Sequence, residues 1–180
     1  MGMKEFASKL IDIMIGVVLG LGFQWWPDLQ EPWQFAAFAL VYLLVIDYWI
    51  DTASALKKFP PKRELDIFID VAIAFVFFLF IYSTKVSILY FLSVFILFRV
   101  LDAVWIYRVK AEYRIIGHER LVLNTWLMAD FAESLTAAAL IATYKTYVLL
   151  PLTTLSLFTV AWLLVRVLSS IRYRKAYFIS

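Results

Sequence analysis

Residues 24–33, Gln-Trp-Trp-Pro-Asp-Leu-Gln-Glu-Pro-Trp, divide the longest apolar stretch of the chain and decide its fold. On both sides of this segment, from Leu10 to Leu56, the sequence contains no lysine or arginine. That stretch is long enough for two bilayer-spanning helices of about 20 residues each. Pro27 and Pro32 disfavour a continuous helix through its middle. The segment therefore predicts a turn between two transmembrane helices.

The composition of the whole chain also predicts a membrane protein. Of 180 residues, 64% are apolar and the mean hydropathy is +0.83, whereas soluble domains are about 45–50% apolar. Six spans would use roughly 120 residues, which leaves no room for a soluble catalytic domain. The absence of cysteine excludes disulfides and thiolate chemistry, and the single histidine, His118, excludes paired-histidine haem ligation. We expect one all-α transmembrane domain over residues 1–180 in the cell membrane, with no cofactor.

The rest of the chain predicts four more helices. Lys57, Lys58, Lys62 and Arg63 surround two consecutive prolines and close the second helix, because prolines end helices and cations are costly in hydrocarbon. The predicted elements that follow are a third helix over residues 65–82, a turn at 83–85, a fourth helix over 86–107, a basic segment at 108–120, a fifth helix over 121–142, a turn at 144–147 and a sixth helix over 148–168.

The distribution of cations predicts the topology. Lys85 and Lys145 fall in the connections on one side of the predicted bundle, and all other cations except Arg99 fall on the opposite side. That second group is Lys4, Lys9, Lys57, Lys58, Lys62, Arg63, Arg108, Lys110, Arg114, Arg120, Arg166, Arg172, Arg174 and Lys175. Because cytoplasmic loops are enriched in lysine and arginine, both termini are expected in the cytoplasm and the number of spans is expected to be even.

The six helices resemble three related hairpins, at about residues 1–62, 63–120 and 121–180. Their second members contain Leu-Val-Ile-Asp at 44–47, Arg-Val-Leu-Asp at 99–102 and Arg-Val-Leu-Ser at 166–169. An internal triplication would produce this pattern. Short strings of this kind also recur by chance in membrane proteins, so both explanations stay open.

Acidic residues inside the predicted spans are the main functional signal. They are Asp12, Asp47, Asp70, Asp102, Asp130 and Glu133, with only Arg99 and Arg166 at the same depth. A charge in hydrocarbon costs at least about 2.5–3.5 kcal/mol, so such residues face the bundle interior, a partner or a wet cavity. The excess of acids indicates protonated groups or a vestibule that attracts cations. For Asp12, Asp47 and Asp102 the alternative is contact with headgroups and water, with Arg99 pairing with Asp102 at i,i+3.

Asp130 and Glu133 are the deepest acids and share one helix face. Two carboxylates so close in a low dielectric cannot both ionise cheaply, so we expect one to be protonated unless a cation lies between them. We therefore predict an ion pathway for H⁺, K⁺ or Na⁺ along Asp12, Asp70, Asp130 and Glu133. Nucleic acid is not an expected partner, because the positions of the cations are explained by topology.

Small residues indicate which helix faces pack. Asp12, Gly16 and Gly20 share one face of the first helix, and the Gly-x-x-x-Gly pair allows close backbone approach. We expect this face to meet protein, within one subunit or in a homo-oligomer or a complex with a partner membrane subunit. Alanines concentrated in the fifth helix predict a central helix, whereas the phenylalanines at 75, 77, 78 and 80 predict a lipid-facing third helix.

Two Asp-x-x-x-Asp pairs, Asp47/Asp51 and Asp66/Asp70, flank the second loop. Facing pairs could hold Mg²⁺ or Ca²⁺ through carboxylate oxygens, and in this they resemble the aspartate-rich helix ends of intramembrane prenyltransferases. Those enzymes have an Asn-led first motif, whereas no asparagine precedes Asp47 here. The alternatives are interfacial charges balanced by the neighbouring cations and a non-catalytic ion site.

The first 110 residues resemble, in layout, the prokaryotic and lysosomal potassium channels built from six-helix units. The likeness rests on Lys9-Leu-Ile-Asp12-Ile, on the Tyr48-Trp49 pair that ends the second helix, and on Lys57-Lys58 after it. Of the Phe-Ser-Asp-Gly motif of those channels only Asp12 is present, so the resemblance does not extend to selectivity or gating. Six helices and length also resemble substrate-binding subunits of vitamin uptake systems.

Three functional hypotheses follow from the sequence. The first is passage of, or coupling to, a monovalent cation through an acid-lined cytoplasmic vestibule. The second is a non-catalytic membrane subunit that docks a partner through small-residue faces. The third is a Mg²⁺-dependent lipid-modifying enzyme.

Overall fold

The computed structural model describes residues 3–147 and 149–173, and over these residues the chain is helical. The α-helices are α1 (Met3–Gly22), α2 (Pro32–Lys58), α3 (Glu64–Ser83), α4 (Ile88–Glu112), α5 (Gly117–Tyr147) and α6 (Pro151–Tyr173). A 3-10 helix, Phe23–Asp28, continues directly from α1. The prediction of an all-α bundle is confirmed. Arg174 and Lys175 of the topology count lie outside the described residues.

Five helical segments are long and apolar enough to cross a membrane. They are Lys9–Asp28, Pro32–Lys58, Glu64–Ser83, Ile88–Glu112 and Pro151–Arg172. The remaining helix, α5, has 31 residues and a length of about 46 Å at 1.5 Å per residue. It exceeds the hydrocarbon thickness but is less apolar than the others, because it carries the two deep acids and many alanines and threonines.

Several predicted boundaries are corrected by the structure. Most of the basic segment 108–120 is helical, and only residues 113–116 connect α4 to α5. The turn predicted at 144–147 is the last turn of α5, because its tyrosines, lysine and threonine do not interrupt the helical backbone. The next helix begins at Pro151. Proline suits this position because backbone N–H groups in the first turn of a helix have no intrahelical acceptor, so the missing N–H of proline costs no hydrogen bond. The predicted start of the sixth helix at Val148 lies outside the described residues.

The helices form a bundle whose two ends differ in charge. At one end lie residues 59–63 and 113–116, and we call this the basic end. At the other lie the 3-10 helix and the α3–α4 connection. Helix α1 packs on α2 and α3, α4 lies between α3 and α5, and α6 packs on α5 and α2. At the basic end Asp66 accepts hydrogen bonds from the backbone N–H groups of Lys62 and Arg63, both at 2.8 Å, and so caps α3.

Away from the basic end the core is aromatic. Phe80, Phe91, Phe95 and Phe158 are fully buried, and we call these four rings the aromatic barrier. Phe95 packs edge-on against Phe158 with ring centres 4.7 Å apart. The prediction that α3 faces lipid is wrong for two of its phenylalanines, because Phe77 and Phe80 are completely buried. The run of phenylalanines wraps around α3, and only its outer members, such as Phe75 at 60% exposed, face outward.

The glycines of α1 pack differently from the prediction. Gly16 and Gly20 are exposed, and a Cβ at either position would meet no atom within 4 Å. Among residues 3–147 and 149–173, therefore, no helix packs on the Gly-x-x-x-Gly face. The close approach lies at Gly22, where a Cβ would lie 2.7 Å from Ile81 Cδ1 and 3.1 Å from the Tyr42 hydroxyl.

Candidate functional site

Arg99 lies near the middle of α4 and contacts three carboxylates. Its Nη2 atom lies 2.5 Å from Glu133 Oε2, and Nη1 lies 3.3 Å from Asp130 Oδ1 and 3.5 Å from Asp102 Oδ2. Asp130 and Glu133 are three residues apart on α5, so both carboxylates lie on the helix face turned toward α4. Their side chains are almost completely buried, at 5% and 4% exposed. The cation between these two acids is the Arg99 guanidinium.

Arg166 of α6 forms a second group of ion pairs, this time with α2. Its Nη2 atom lies 2.7 Å from Asp47 Oδ1 and also contacts Asp51 Oδ2. Asp47 and Asp51 are one helical turn apart, which places both on the side of α2 that faces α6. These ion pairs join two helices whose residues are more than 100 positions apart in the sequence.

Both groups of charges face one cavity of about 50 Å³, which we call the central cavity. This volume holds a few water molecules. The remaining side chains that matter for its chemistry are Tyr48, Thr52, Trp105 and Trp126, which add hydroxyl and indole groups to its wall. The cavity lies at mid-bundle, between α2, α4, α5 and α6.

The central cavity has an excess of acidic groups. Its charged lining residues are Asp47, Asp51, Asp102, Asp130, Glu133, Arg99 and Arg166. If all were ionised, five carboxylates and two guanidinium groups would carry a formal charge of −3. A buried excess charge is costly unless it is compensated. The arginines compensate part of it, and bound protons or cations can compensate the rest.

The four acids predicted to line one ion pathway do not lie together. Only Asp130 and Glu133 line the central cavity. Asp12 is exposed on the surface of α1, where it accepts a hydrogen bond from Trp49 Nε1 at 2.9 Å. Asp70 lines a separate, small cavity between α1, α2 and α3. These four acids have similar positions along their helices but lie on helix faces that point in different directions, and the sequence does not show which face of each helix is buried.

The predicted metal-binding aspartates are also separated. Asp47 and Asp51 contact Arg166, whereas Asp66 caps α3 and lies 3.4 Å from Arg108 Nη1. Among residues 3–147 and 149–173, no group of three acidic or histidine side chains is placed to hold a metal ion. Contact with Arg166 accounts for Asp47 and Asp51, and helix capping accounts for Asp66, whereas Asp70 has neither kind of partner.

Ion pairs and hydrogen bonds hold the basic end together below the cavity. Arg108 is buried between Asp66 and Glu112. The Tyr113 hydroxyl donates a hydrogen bond to the Pro60 carbonyl, which links the two loops at this end. Partial burial raises the pKa of Tyr113 above its usual value, so the hydroxyl keeps its proton and remains a donor at neutral pH.

A larger apolar groove runs along the outside of α4 and α5. It has a volume of about 620 Å³, and Ala103, Ala132 and Ser134 make it possible because their side chains are small. Arg99 and Asp130 also reach its floor. The groove and the central cavity thus lie on opposite sides of one ion pair.

Comparison of the chain with models of known protein families, with curated proteins and with solved structures finds no match in any of the three.

Proposed function

We propose that this chain is an integral protein of the cell membrane that passes, or couples to, a monovalent cation at the central cavity. In this proposal all six helices cross the bilayer and both termini lie in the cytoplasm. The observation that carries it is the excess of five carboxylates over two arginines around one cavity at mid-bundle. Such an excess is stable when protons or small cations bind there.

The arginines make this cavity suited to reversible binding. Arg99 and Arg166 reduce the negative charge without removing it. Ion passage requires sites that attract a cation but release it again. A partly neutralised set of carboxylates meets this requirement better than a fully paired network would.

The aromatic barrier gives the pathway a closed side. From the level of Arg99 to the end of the bundle opposite the basic end, the helices carry few charges and the core is filled by phenylalanine rings. An apolar constriction of this kind blocks ions until it is wetted or opened. Asp47 and Asp51 are partly exposed, so access to the central cavity is expected on the side of α2 and α6.

The test is ion flux into proteoliposomes that contain the purified chain. We expect H⁺, K⁺ or Na⁺ to cross, and we expect Glu133→Gln and Asp130→Asn each to lower the flux by about tenfold, the equivalent of one 1.4 kcal/mol interaction. Asp12→Asn is the matched control, because Asp12 is an intramembrane acid outside the central cavity. The proposal fails if the wild-type chain carries none of the three ions, or if Asp12→Asn lowers the flux as much.

A second candidate function is a non-catalytic subunit that associates with another copy of the chain through the α4–α5 groove. The observation that favours it is that Arg99 and Asp130 reach the groove floor, where lipid would lie directly against the outer side of their ion pair. Ala132→Trp would fill the groove and is expected to convert a dimer into a monomer in detergent, as measured by light scattering. Ala138→Trp, on the exposed side of α5, is the control.

No observation favours the Mg²⁺-dependent enzyme, because Asp66 caps a helix.

A further inference from the structure

Asp70 is a buried carboxylate that does not belong to the ion pairs formed by Arg99, Arg166 and Arg108. Its side chain lies in α3 and is 4% exposed. Within the part of the chain that the structure describes, neither of its oxygens accepts a hydrogen bond. Buried polar groups normally have partners, so an acid of this kind requires a functional or structural explanation.

The surroundings of Asp70 are apolar on one side and polar on the other. From α1, Ile11 and Ile15 close the small cavity in which it lies. The charged or titratable groups that act on it are Asp66 on its own helix and Arg108 on α4, with the Trp105 indole close by. From α2, Tyr48 faces the same cavity. Arg108 is itself engaged with Asp66 and Glu112.

Tyr48 and Thr52 join this small cavity to the central cavity. Both residues line both cavities, and they lie one turn apart on the same face of α2. The Tyr48 hydroxyl is also in electrostatic reach of Asp70 on one side and of Asp102 and Asp130 on the other. Two hydroxyls therefore separate an isolated carboxylate from the acids of the central cavity.

We propose that Asp70 is a proton-binding site that exchanges protons with the central cavity through Tyr48 and Thr52, and that the cation handled there is therefore H⁺. This inference rests on the proposed function and specifies its ion. The Asp70 carboxylate accepts one proton and becomes a carboxylic acid. Each hydroxyl accepts a proton on an oxygen lone pair and releases its own proton to the next acceptor, so no net charge stays on the relay. The proton comes from a carboxylic acid of the central cavity, which becomes a carboxylate, and in the reverse step the Asp70 carboxylic acid returns its proton by the same path to a carboxylate there.

The size of the small cavity favours a proton over Na⁺ or K⁺. Its volume is about 10 Å³, which is at the lower limit for a single water molecule. The oxygens around it belong to Asp70, Tyr48 and Thr52, and the rest of its lining is apolar. A metal cation would need several more oxygen ligands, whereas a proton needs one lone pair.

The first experiment detects the proton on Asp70 directly. Infrared difference spectra of the full chain in lipid, taken between acidic and alkaline buffer, should show a carboxylic acid C=O band that is missing in Asp70→Asn and shifted in Asp70→Glu. Asp12→Asn should leave the band unchanged. A spectrum that is the same for wild type and Asp70→Asn overturns the inference.

The second experiment tests the relay by proton flux into proteoliposomes. Tyr48→Phe removes only the hydroxyl, because the ring stays packed between Phe77 and Phe98, with centres 5.0 and 5.4 Å away. We expect Tyr48→Phe and Asp70→Asn to lower H⁺ flux by about a hundredfold, the low end for a positioned proton-transfer group. If K⁺ or Na⁺ crosses and both variants carry it normally, the inference is overturned and the proposed function stands. If the wild-type chain carries no cation, the proposed function fails, whatever the infrared band shows about Asp70.

Discussion

Arg99 is the side chain on which the buried charges depend most. Besides three carboxylates, its guanidinium lies over two aromatic rings, 5.1 Å from the centre of Phe95 and 4.6 Å from that of Phe98. A planar guanidinium can stack on rings and donate to several acids at once, which the compact ammonium of lysine cannot do. The residue therefore combines charge compensation with packing between α4 and α5.

We expect Arg99→Gln to lower the free energy of unfolding by about 3–5 kcal/mol, because it leaves buried carboxylates without a cation. The measurement is denaturant unfolding in detergent micelles. Arg99→Gln combined with Glu133→Gln should recover part of the loss, since one of the uncompensated acids is then neutral. Equal losses for the single and the double variant would show that the ion pair does not stabilise the fold.

At the scale of elements, the junction of α1 with α3 depends on one small residue. Gly22 ends α1 where Ile81 of α3, itself fully buried, and the Tyr42 hydroxyl come close. That hydroxyl donates a hydrogen bond to the Leu19 carbonyl at 2.6 Å. A side chain at position 22 would therefore press on packed neighbours from two helices.

Gly22→Val is expected to destabilise the chain by about 1–3 kcal/mol, the usual cost of overpacking. Gly20→Val provides the comparison, because the space around Gly20 is open and valine there costs little. Thermal unfolding of both variants measures the difference. If the two substitutions are equally harmful, the Gly16 and Gly20 face is buried by a partner that the isolated chain lacks.

The number and order of the helices could be predicted from the sequence because apolar runs and cation clusters alternate along it. The ends of the helices could not, since residues such as Tyr144 and Thr146 tolerate both helix and turn. The buried face of α3 could not be predicted from the sequence either. Its phenylalanines occupy every side of the helix, and packing against Tyr48 of α2 and Phe98 of α4 determines that Phe77 is buried while Phe75 is exposed.

For the candidate site, local spacing was informative and long-range pairing was not. The i,i+3 spacing correctly indicates that Asp130 and Glu133 share a face. Nothing in the sequence shows that Arg99, more than 30 residues earlier, lies between them, or that Arg166 contacts Asp47. The sequence signal that could have indicated this grouping is the repeated string at 44–47, 99–102 and 166–169. Its last residues, Asp47, Asp102 and Ser169, all line the central cavity.

At the scale of the whole molecule, exposed cations are concentrated at the basic end. Lys85, at the opposite end, lies 2.6 Å from Asp28 and forms an ion pair with it. At the basic end, Lys57, Arg114 and Arg120 are exposed. Because positively charged loops remain in the cytoplasm, this asymmetry favours the basic end as the cytoplasmic side.

We expect reporter tags at the N-terminus, at the C-terminus and in residues 113–116 all to be accessible only from the cytoplasm. Tags in the 3-10 helix region and next to Lys85 should be accessible only from outside. Protease protection and fluorescent-tag mapping measure these positions independently. A C-terminal tag on the outer side, together with an N-terminal tag on the cytoplasmic side, would show that the chain crosses the membrane an odd number of times.

The contact of Arg166 with α2 has a consequence for biosynthesis. Asp47 and Asp51 leave the ribosome more than 100 residues before Arg166 does. Until α6 arrives, α2 must stay in the membrane with two acids whose insertion costs about 2.5–3.5 kcal/mol each. A chain that stops after α5 should therefore be recognised by membrane quality control and degraded faster than the full chain in a pulse-chase experiment. Asp47→Asn together with Asp51→Asn should lengthen the lifetime of the shortened chain, and an unchanged lifetime would show that α6 does not complete assembly in this way.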